Sequence, residues 1–192
     1  VLLHPHAELP DFVIISAILT KPILTTSTIY KMKQDYNIRA AEFKDAEPIF
    51  QLIKSFPDEL LPRPISDIVQ NIDRFLVCET GGEVAGTISW HILPEIGSPR
   101  QPSVEIKSLA VKKEHQGRQV GKELVQNAIQ RISELHPIQI IALTFQPEFF
   151  ARLGFRKIPK AKLMHKIYAG CINCTKYDSP FTCPETAVGM EL

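Results

Sequence analysis

The residues Gln116-Gly117-Arg118-Gln119-Val120-Gly121 follow a strand-like run, Ser103 to Val111, and open a long amphipathic pattern. A glycine-containing turn at a helix start is a place to hold phosphates. The first N–H groups of a helix have no intrahelical partner, and the helix dipole adds to their attraction for an anion. Gly117 and Gly121 let the backbone approach a ligand with no Cβ in the way. Arg118 and Lys122 add positive charge beside the turn. This pattern predicts a cradle for a pyrophosphate. An ordinary glycine turn is the alternative, because short glycine motifs recur by chance.

A second group with chemical potential lies near the C-terminus. Cys171-Ile172-Asn173-Cys174 has the spacing of a zinc knuckle, and Cys183 and His165 could complete four ligands. Simple thiols or a redox pair are the competing readings. Cys78 falls in a strand-like run and reads as a small core residue. His115 precedes the glycine turn and reads as a cofactor contact or an exposed turn residue. His91 ends a strand and is a candidate substrate contact.

These residues must be positioned by a scaffold, and the hydrophobic pattern supplies one. Tyr36 to Ala40 reads as a short strand. Asp45 is a candidate N-cap, and Ile49, Leu52, Ile53 and Phe56 recur at helical spacing until Pro57, Pro62 and Pro64 intervene. Ile65 to Ile72 fits a second short helix. Phe75 to Thr80 and Glu83 to Ile92 are strands joined by Gly81-Gly82, a hairpin signal. Pro94 to Pro102 is a loop, and Ser103 to Val111 is the next strand. Val120, Leu124, Val125, Ala128, Ile129, Ile132 and Leu135 form one apolar helical stripe. Ile138 to Phe145 reads as a buried strand, and Pro147 to Leu153 as a short helix stopped at Gly154. Phe155 to Ile158 and Leu163 to Ile167 are candidate closing strands. Consecutive strands with short turns favour antiparallel pairing, and strands separated by helices favour crossovers. The fold class expected is a mixed, mostly antiparallel α/β sheet with helices on both faces.

The chain has 192 residues, 44% of them apolar and 22% charged, with a formal net charge of +1. That composition is ordinary for a globular protein. It offers no basic field for nucleic acid and no polybasic stretch for a membrane surface. The longest apolar run, Phe12 to Leu19, is far short of a spanning helix, and it lacks the flanks of a secretory signal. The expectation is a cytoplasmic protein. Three regions are expected: an N-terminal arm or artefactual extension over 1–34, a main domain over 35–168, and a cysteine-containing tail over 169–192. An extra strand docked on the body is the alternative for the first region, and Met32 is a candidate start.

Three motifs in order resemble the GNAT superfamily of acetyl-CoA-dependent N-acetyltransferases. They are Ser108-Leu109-Ala110-Val111, the Gln116 to Gly121 loop, and Phe149-Phe150-Ala151-Arg152-Leu153-Gly154-Phe155. They are similar to that superfamily's central strand, its Q/R-x-x-G-x-G/A pyrophosphate loop, and its late helix. The loop departs from the pattern once, with Gln119 where the first glycine usually falls. A narrower likeness is to short-form amino-acid N-acetyltransferases, which resemble the N-acetylglutamate synthases of arginine biosynthesis. Glu105, the Ser-Leu-Ala-Val run, Leu143-Thr144-Phe145 and the Cys171-x-x-Cys174 tail carry it. Cys183 comes later than the third cysteine of that pattern, and Phe145 stands where a tyrosine is common.

The resemblance implies acetyl transfer from acetyl-CoA to a small amine, an amino acid such as glutamate first among them. Another amine (a polyamine, a peptide N-terminus or a protein lysine) and a non-catalytic acyl-CoA-binding module are the alternatives. A homodimer is left open. The pyrophosphate would lie on the amides of Gln116 to Gly121, with Lys122 nearby. Leu109, Ala110 and Val111 would pair with pantetheine, and the family places the carbonyl-polarising N–H at Leu109. Glu105 is the candidate base, expected on the face of Leu109 by the two-residue period of a strand. The superfamily's frequent acid, a tyrosine, is replaced by Phe150, and Tyr168 is a weak substitute. Arg39, Lys107 and Arg152 are candidate partners for an amino acid's carboxylates.

Overall fold

A computed structural model of the chain describes residues 36–93, 102–174 and 176–192. The expected arm over 1–34 and most of the proline-rich loop after Leu93 lie outside the described residues. Seven strands form one sheet: β1 (Asn37–Ala40), β2 (Phe75–Thr80), β3 (Glu83–Leu93), β4 (Ser103–Val111), β5 (Gln139–Thr144), β6 (Arg156–Lys157) and β7 (Thr186–Glu191). Their order in the sheet is β1-β2-β3-β4-β5-β7-β6. The first four pair antiparallel, β4 runs parallel to β5, and β7 pairs antiparallel with β5 and β6. Gly81 and Gly82 take φ of +57° and +82°, the conformation a two-residue hairpin demands.

The helices are α1 (Ala46–Lys54), α2 (Ile65–Gln70), α3 (Val120–Ser133), α4 (Pro147–Ala151) and α5 (Met164–Ala169). On one face of the sheet, Leu76, Ile88, Trp90, Val104 and Ile106 pack against the stripe of α3 from Val120 to Ile132 and against Phe150 of α4. On the other, Ile49, Leu52 and Ile53 of α1 and Ile68 of α2 cover Phe75 and Val77. Leu163, just before α5, covers Ile141 and Ala187 on the same cluster of strands. The expected mixed sheet with helices on both faces is what the chain forms. Gly86 marks where α3 lies closest to β3: a Cβ there would come within 3.0 Å of Leu124 Cδ1.

Several local expectations need correction. Leu163 to Ile167 is not a strand; a short 3-10 turn runs into α5, because Leu163 and Ile167, four apart, bury one helical face. The closing strand comes instead from β7, so the segment expected to be a tail beyond residue 168 supplies part of the main sheet. Gly189 disguises that strand; its bare backbone is needed because a Cβ would meet Ile158 Cδ1 at 3.0 Å. Leu135 and Ile138 are exposed, since α3 ends at Ser133 and β5 begins only at Gln139.

Asp45 does not cap α1 through its side chain. Its carboxylate accepts the Glu42 amide at 2.8 Å and both terminal nitrogens of Arg39 at 2.6 and 2.9 Å. Arg39 in turn grips Glu79 at 2.6 Å, tying β1 and β2 to the start of α1. Burial pushes the Asp45 carboxyl up, but the hydrogen bonds from Arg39 and Glu42 outweigh it and hold the group below the usual range. A carboxyl depressed in the folded state contributes stability above its unfolded pKa and loses it as pH falls through the folded value. Asp45→Asn is therefore expected to cost about 1–3 kcal/mol at neutral pH. In urea titrations, the gap to the unaltered protein should narrow below about pH 4.

Candidate active site

Strand β4 carries the main irregularity of the sheet. Its ladder to β5 covers only Ser103, Glu105 and the residue between, opposite Gln139 to Ile141. Beyond Glu105 the two strands part. On the other side, the register with β3 jumps from Ser89↔Lys107 to Thr87↔Ala110. Ser108 and Leu109 thus both face Ile88, a β-bulge, and Ser108 takes φ of +52°. An extra residue reverses the alternation of side chains. Glu105 and Lys107 share the face covered by α1 and α2, whereas Leu109 and Val111 pack with Val104 and Ile106 against α3. The expected shared face of Glu105 and Leu109 is thereby overturned. The candidate role of Leu109 is a main-chain one and does not depend on that face.

The glycine turn lies where β4 hands over to α3. A 3-10 turn, Lys113–His115, follows the strand, and the Gln116 amide side chain donates to the Val111 carbonyl at 3.0 Å. Gly117 has φ of +77° and Gln119, the helix N-cap, has φ of +66°. The substitution noted in the sequence thus occupies a left-handed position that glycine would take without strain. Gln116 to Gln119 are exposed, and α3 begins at Val120 with no side-chain cap. Its first amides remain available to an anion. A Cβ on Gly121 would meet the Phe149 ring at 3.7 Å, so the space there is narrow but not closed. The exposed loop, the free helix start and the parting of β4 from β5 fit a diphosphate-bearing pantetheine thioester.

A cavity of about 320 Å³ opens on the other side of the bulge. It is walled by β4, by the connection between α1 and α2, and by the segment after α5. Glu105 is buried there at 3% exposure. Its Oε1 accepts from Lys166 Nζ of α5 at 2.8 Å, and its Oε2 has no hydrogen-bond partner among the described residues. The Lys107 side chain, also on the wall, makes no hydrogen bond or ion pair among the described residues, and burial lowers its pKa against the opposing pull of Glu105. Arg63 is fixed: its Nε donates to Asp67 at 2.5 Å, its Nη1 to Ser89 Oγ at 2.9 Å, and its guanidinium lies over Phe75.

Other candidates lie elsewhere. Arg39 is held by Asp45 and Glu79 and lines a separate depression away from Glu105, so it is not brought to the cavity. Arg152 and Tyr168 are exposed and outside the cavity. Phe150 is buried edge-on between Phe149 and Phe155. His115 is half-buried at the turn, and His91 stands opposite Glu105 in the ladder but does not line the cavity.

The four candidate zinc ligands do not converge. Among the described residues no three His, Cys, Asp or Glu side chains are grouped to hold a metal ion. His165 is buried in α5, while Cys171, Cys174 and Cys183 are half-buried free thiols on the cavity wall. Burial pushes the Cys171 and Cys183 thiols up, away from the thiolate that a metal requires. Arg63 and Lys166 were not singled out from the sequence. Arg63 had one usable signal, its place between Pro62 and Pro64, which stiffens its backbone. Lys166 had none once its segment was read as a strand.

The fold and the groove at β4 define an acyl-CoA-dependent transferase. Residues 36–155 match the acetyltransferase (GNAT) family, and the chain belongs to that family. It is an acetyl-CoA-dependent N-acetyltransferase. An uncharacterized N-acetyltransferase of Chlorobaculum tepidum is 31% identical over 144 residues, covering 74% of this chain and 89% of that protein. An amino-acid acetyltransferase of Mycobacterium tuberculosis is 27% identical over 146 residues, covering 73% and 79%. The fold is similar to that of Rv2747 from Mycobacterium tuberculosis in complex with CoA and NLQ, with a TM-score of 0.68 at 24% identity, covering 81% of this chain and 99% of that one. It is also similar to N-acetylglutamate synthase from Neisseria gonorrhoeae complexed with coenzyme A and N-acetyl-glutamate, with a TM-score of 0.66 at 21% identity, covering 82% of this chain and 35% of that one. Among the described residues, no helix is long and apolar enough to cross a membrane.

The left-handed Gln119 gives a direct check on the loop. Gln119→Gly is expected to be neutral or to raise stability by up to about 1 kcal/mol, whereas the β-branched Gln119→Val should lower it by about 1–3 kcal/mol. Thermal unfolding of the two variants measures the difference.

Proposed function

We propose that the acceptor is a small amino acid with a free carboxylate, glutamate foremost, and that its amine is acetylated at Glu105. The observation that carries this reading is the pairing, on one cavity wall, of an unpartnered buried carboxylate oxygen with an unpartnered cation. Glu105 Oε2 can take a proton, and Lys107 can hold a negative charge. A polyamine or a basic peptide would bring its positive charges against Lys107, Arg63 and Lys166. The likeness to amino-acid acetyltransferases in sequence supports the same reading.

Acetyl-CoA supplies the activated acyl group as a thioester. The chain's residues do the rest. The amides of Gln116 to Gly121 and the charges of Arg118 and Lys122 hold the diphosphate. The backbone of Leu109, Ala110 and Val111 holds the pantetheine amides where β4 has left β5. The Leu109 N–H, just past the bulge, donates to the carbonyl oxygen as negative charge grows on it. An ammonium has no lone pair for attack, so Glu105 accepts its proton, directly or through a water. Lys107 fixes the acceptor's carboxylate so that the amine stays beside the thioester, which converts an encounter into an oriented approach. Phe150, sealed among aromatic rings, donates no proton to the departing thiolate. A thiol of ordinary pKa near 8.5 leaves without one or takes it from water.

The test is thiol release from acetyl-CoA with a panel of amines. Glutamate and related acidic amino acids are expected to be turned over in preference to polyamines and basic peptides; preference for a polyamine would overturn the substrate class. Lys107→Met should raise the acceptor KM by about 10- to 100-fold, the loss of one charged contact, and leave the affinity for CoA unchanged. Gly121→Glu should instead abolish measurable CoA binding by steric block and repulsion, with the fold intact by circular dichroism. Unaltered CoA affinity in that variant would place the diphosphate elsewhere.

A further inference from the structure

The family match ends at residue 155, yet the cavity does not. Lys160, Lys166, Cys171, Lys176 and Glu185 all line it from the following segment. Of these, only Lys166 forms an ion pair with a β4 side chain, and both members of that pair are almost wholly enclosed, at 8% and 4% side-chain exposure.

Two facts about the pair bear on its role. A buried carboxylate that keeps its charge needs a cation or several donors, and Glu105 has one such partner. Moreover, a carboxylate gripped at one oxygen has a fixed orientation, and the grip here is on Oε1, leaving Oε2 unengaged. The other charged or titratable groups around Glu105 do not duplicate this grip. His91 stands opposite it on β3, Lys107 is two residues along β4, and Cys171 follows α5. Among the described residues Glu105 makes no ion pair with any of these, and its β5 neighbour in register is the apolar Ile141. Arg63 and Asp67 satisfy one another, and Glu185 lies nearer the Cys183 thiol.

We propose that Lys166 is a positioning residue for acetyl transfer: held by α5, it clamps Oε1 of Glu105 so that Oε2 is the atom offered to the acceptor's ammonium. The proposal rests on the reading of Glu105 as the base. It assigns a function to the segment beyond the matched domain: α5 is the element that presents a cation to the reacting face of β4. The cation acts only through Glu105 and makes no bond to the acceptor. Removing it leaves the carboxylate without its ion-pair partner and free to turn away from the acceptor.

The decisive comparison uses the full chain with Lys166→Gln, Lys166→Met, Lys166→Arg and Glu105→Gln, assayed with acetyl-CoA and L-glutamate across pH. Lys166→Gln and Lys166→Met are expected to lower kcat by tenfold or more, with the KM for acetyl-CoA unchanged. Lys166→Arg, which keeps the charge, should recover most of the rate. Lys166→Gln keeps a donor and much of the volume, so it carries the test if Lys166→Met does not fold. An unchanged kcat in Lys166→Gln and Lys166→Met, or no recovery of rate in Lys166→Arg, would overturn the role of Lys166. Retention of activity in Glu105→Gln would overturn the base itself, a distinct failure.

Discussion

Strand β4 can pair with β5 for three residues and no further, and the chemistry of the molecule depends on that limit. The bulge at Ser108 bends the strand and steps its side chains to opposite faces, so the two neighbours diverge. Backbone polar groups seldom go unpaired in a sheet interior. Where they are left open beside a helix start free of side-chain caps, an extended chain with amide groups and a diphosphate can satisfy them. The divergence opens the proposed cosubstrate groove on one side and leaves room for the proposed acceptor cavity on the other.

The same bulge separates two tasks. Before it, Glu105 and Lys107 face the cavity; after it, Leu109 and Val111 pack on α3, and only their main chain is offered to a ligand. In the proposed reaction, acid–base work falls to side chains and polarisation to the backbone. Strain at Ser108, a non-glycine residue in the left-handed region, is borne by a well-packed central strand. Gln119 is a second such position, at the turn into α3. These two left-handed positions sit beside the regions assigned to the cosubstrate; a third, His136, lies past the other end of α3.

Legibility from sequence followed local patterning. The strand–turn–helix order around Gln116 to Gly121 stood out because glycines, a long apolar stripe and alternating residues each speak locally. The proposed base and one proposed substrate contact, Glu105 and Lys107, stood out because they belong to that same strand. Arg39 misled: an arginine near a strand looks free until Asp45 and Glu79 are seen to hold it. β7 was hidden by Gly189 and Ala187, whose small size answers to Ile158 and its neighbours rather than to strand propensity. Lys166 could not be found, since what gives it meaning is a contact 61 positions back along the chain. The cysteines, conspicuous by spacing, lie on the cavity wall, and among the described residues they are not grouped as metal ligands.

The place of β7 between β5 and β6 has a consequence for biogenesis. As the polypeptide emerges from the ribosome, β5 appears early with one edge bare, and its companion along that edge arrives only after α4, β6 and α5 have been made. Thr144 must await Thr186, and Gln139 must await Glu191. Over that interval the nascent domain carries an open, apolar β-edge of the kind that recruits foreign strands or chaperones. Swift translation through this stretch would shorten the exposure.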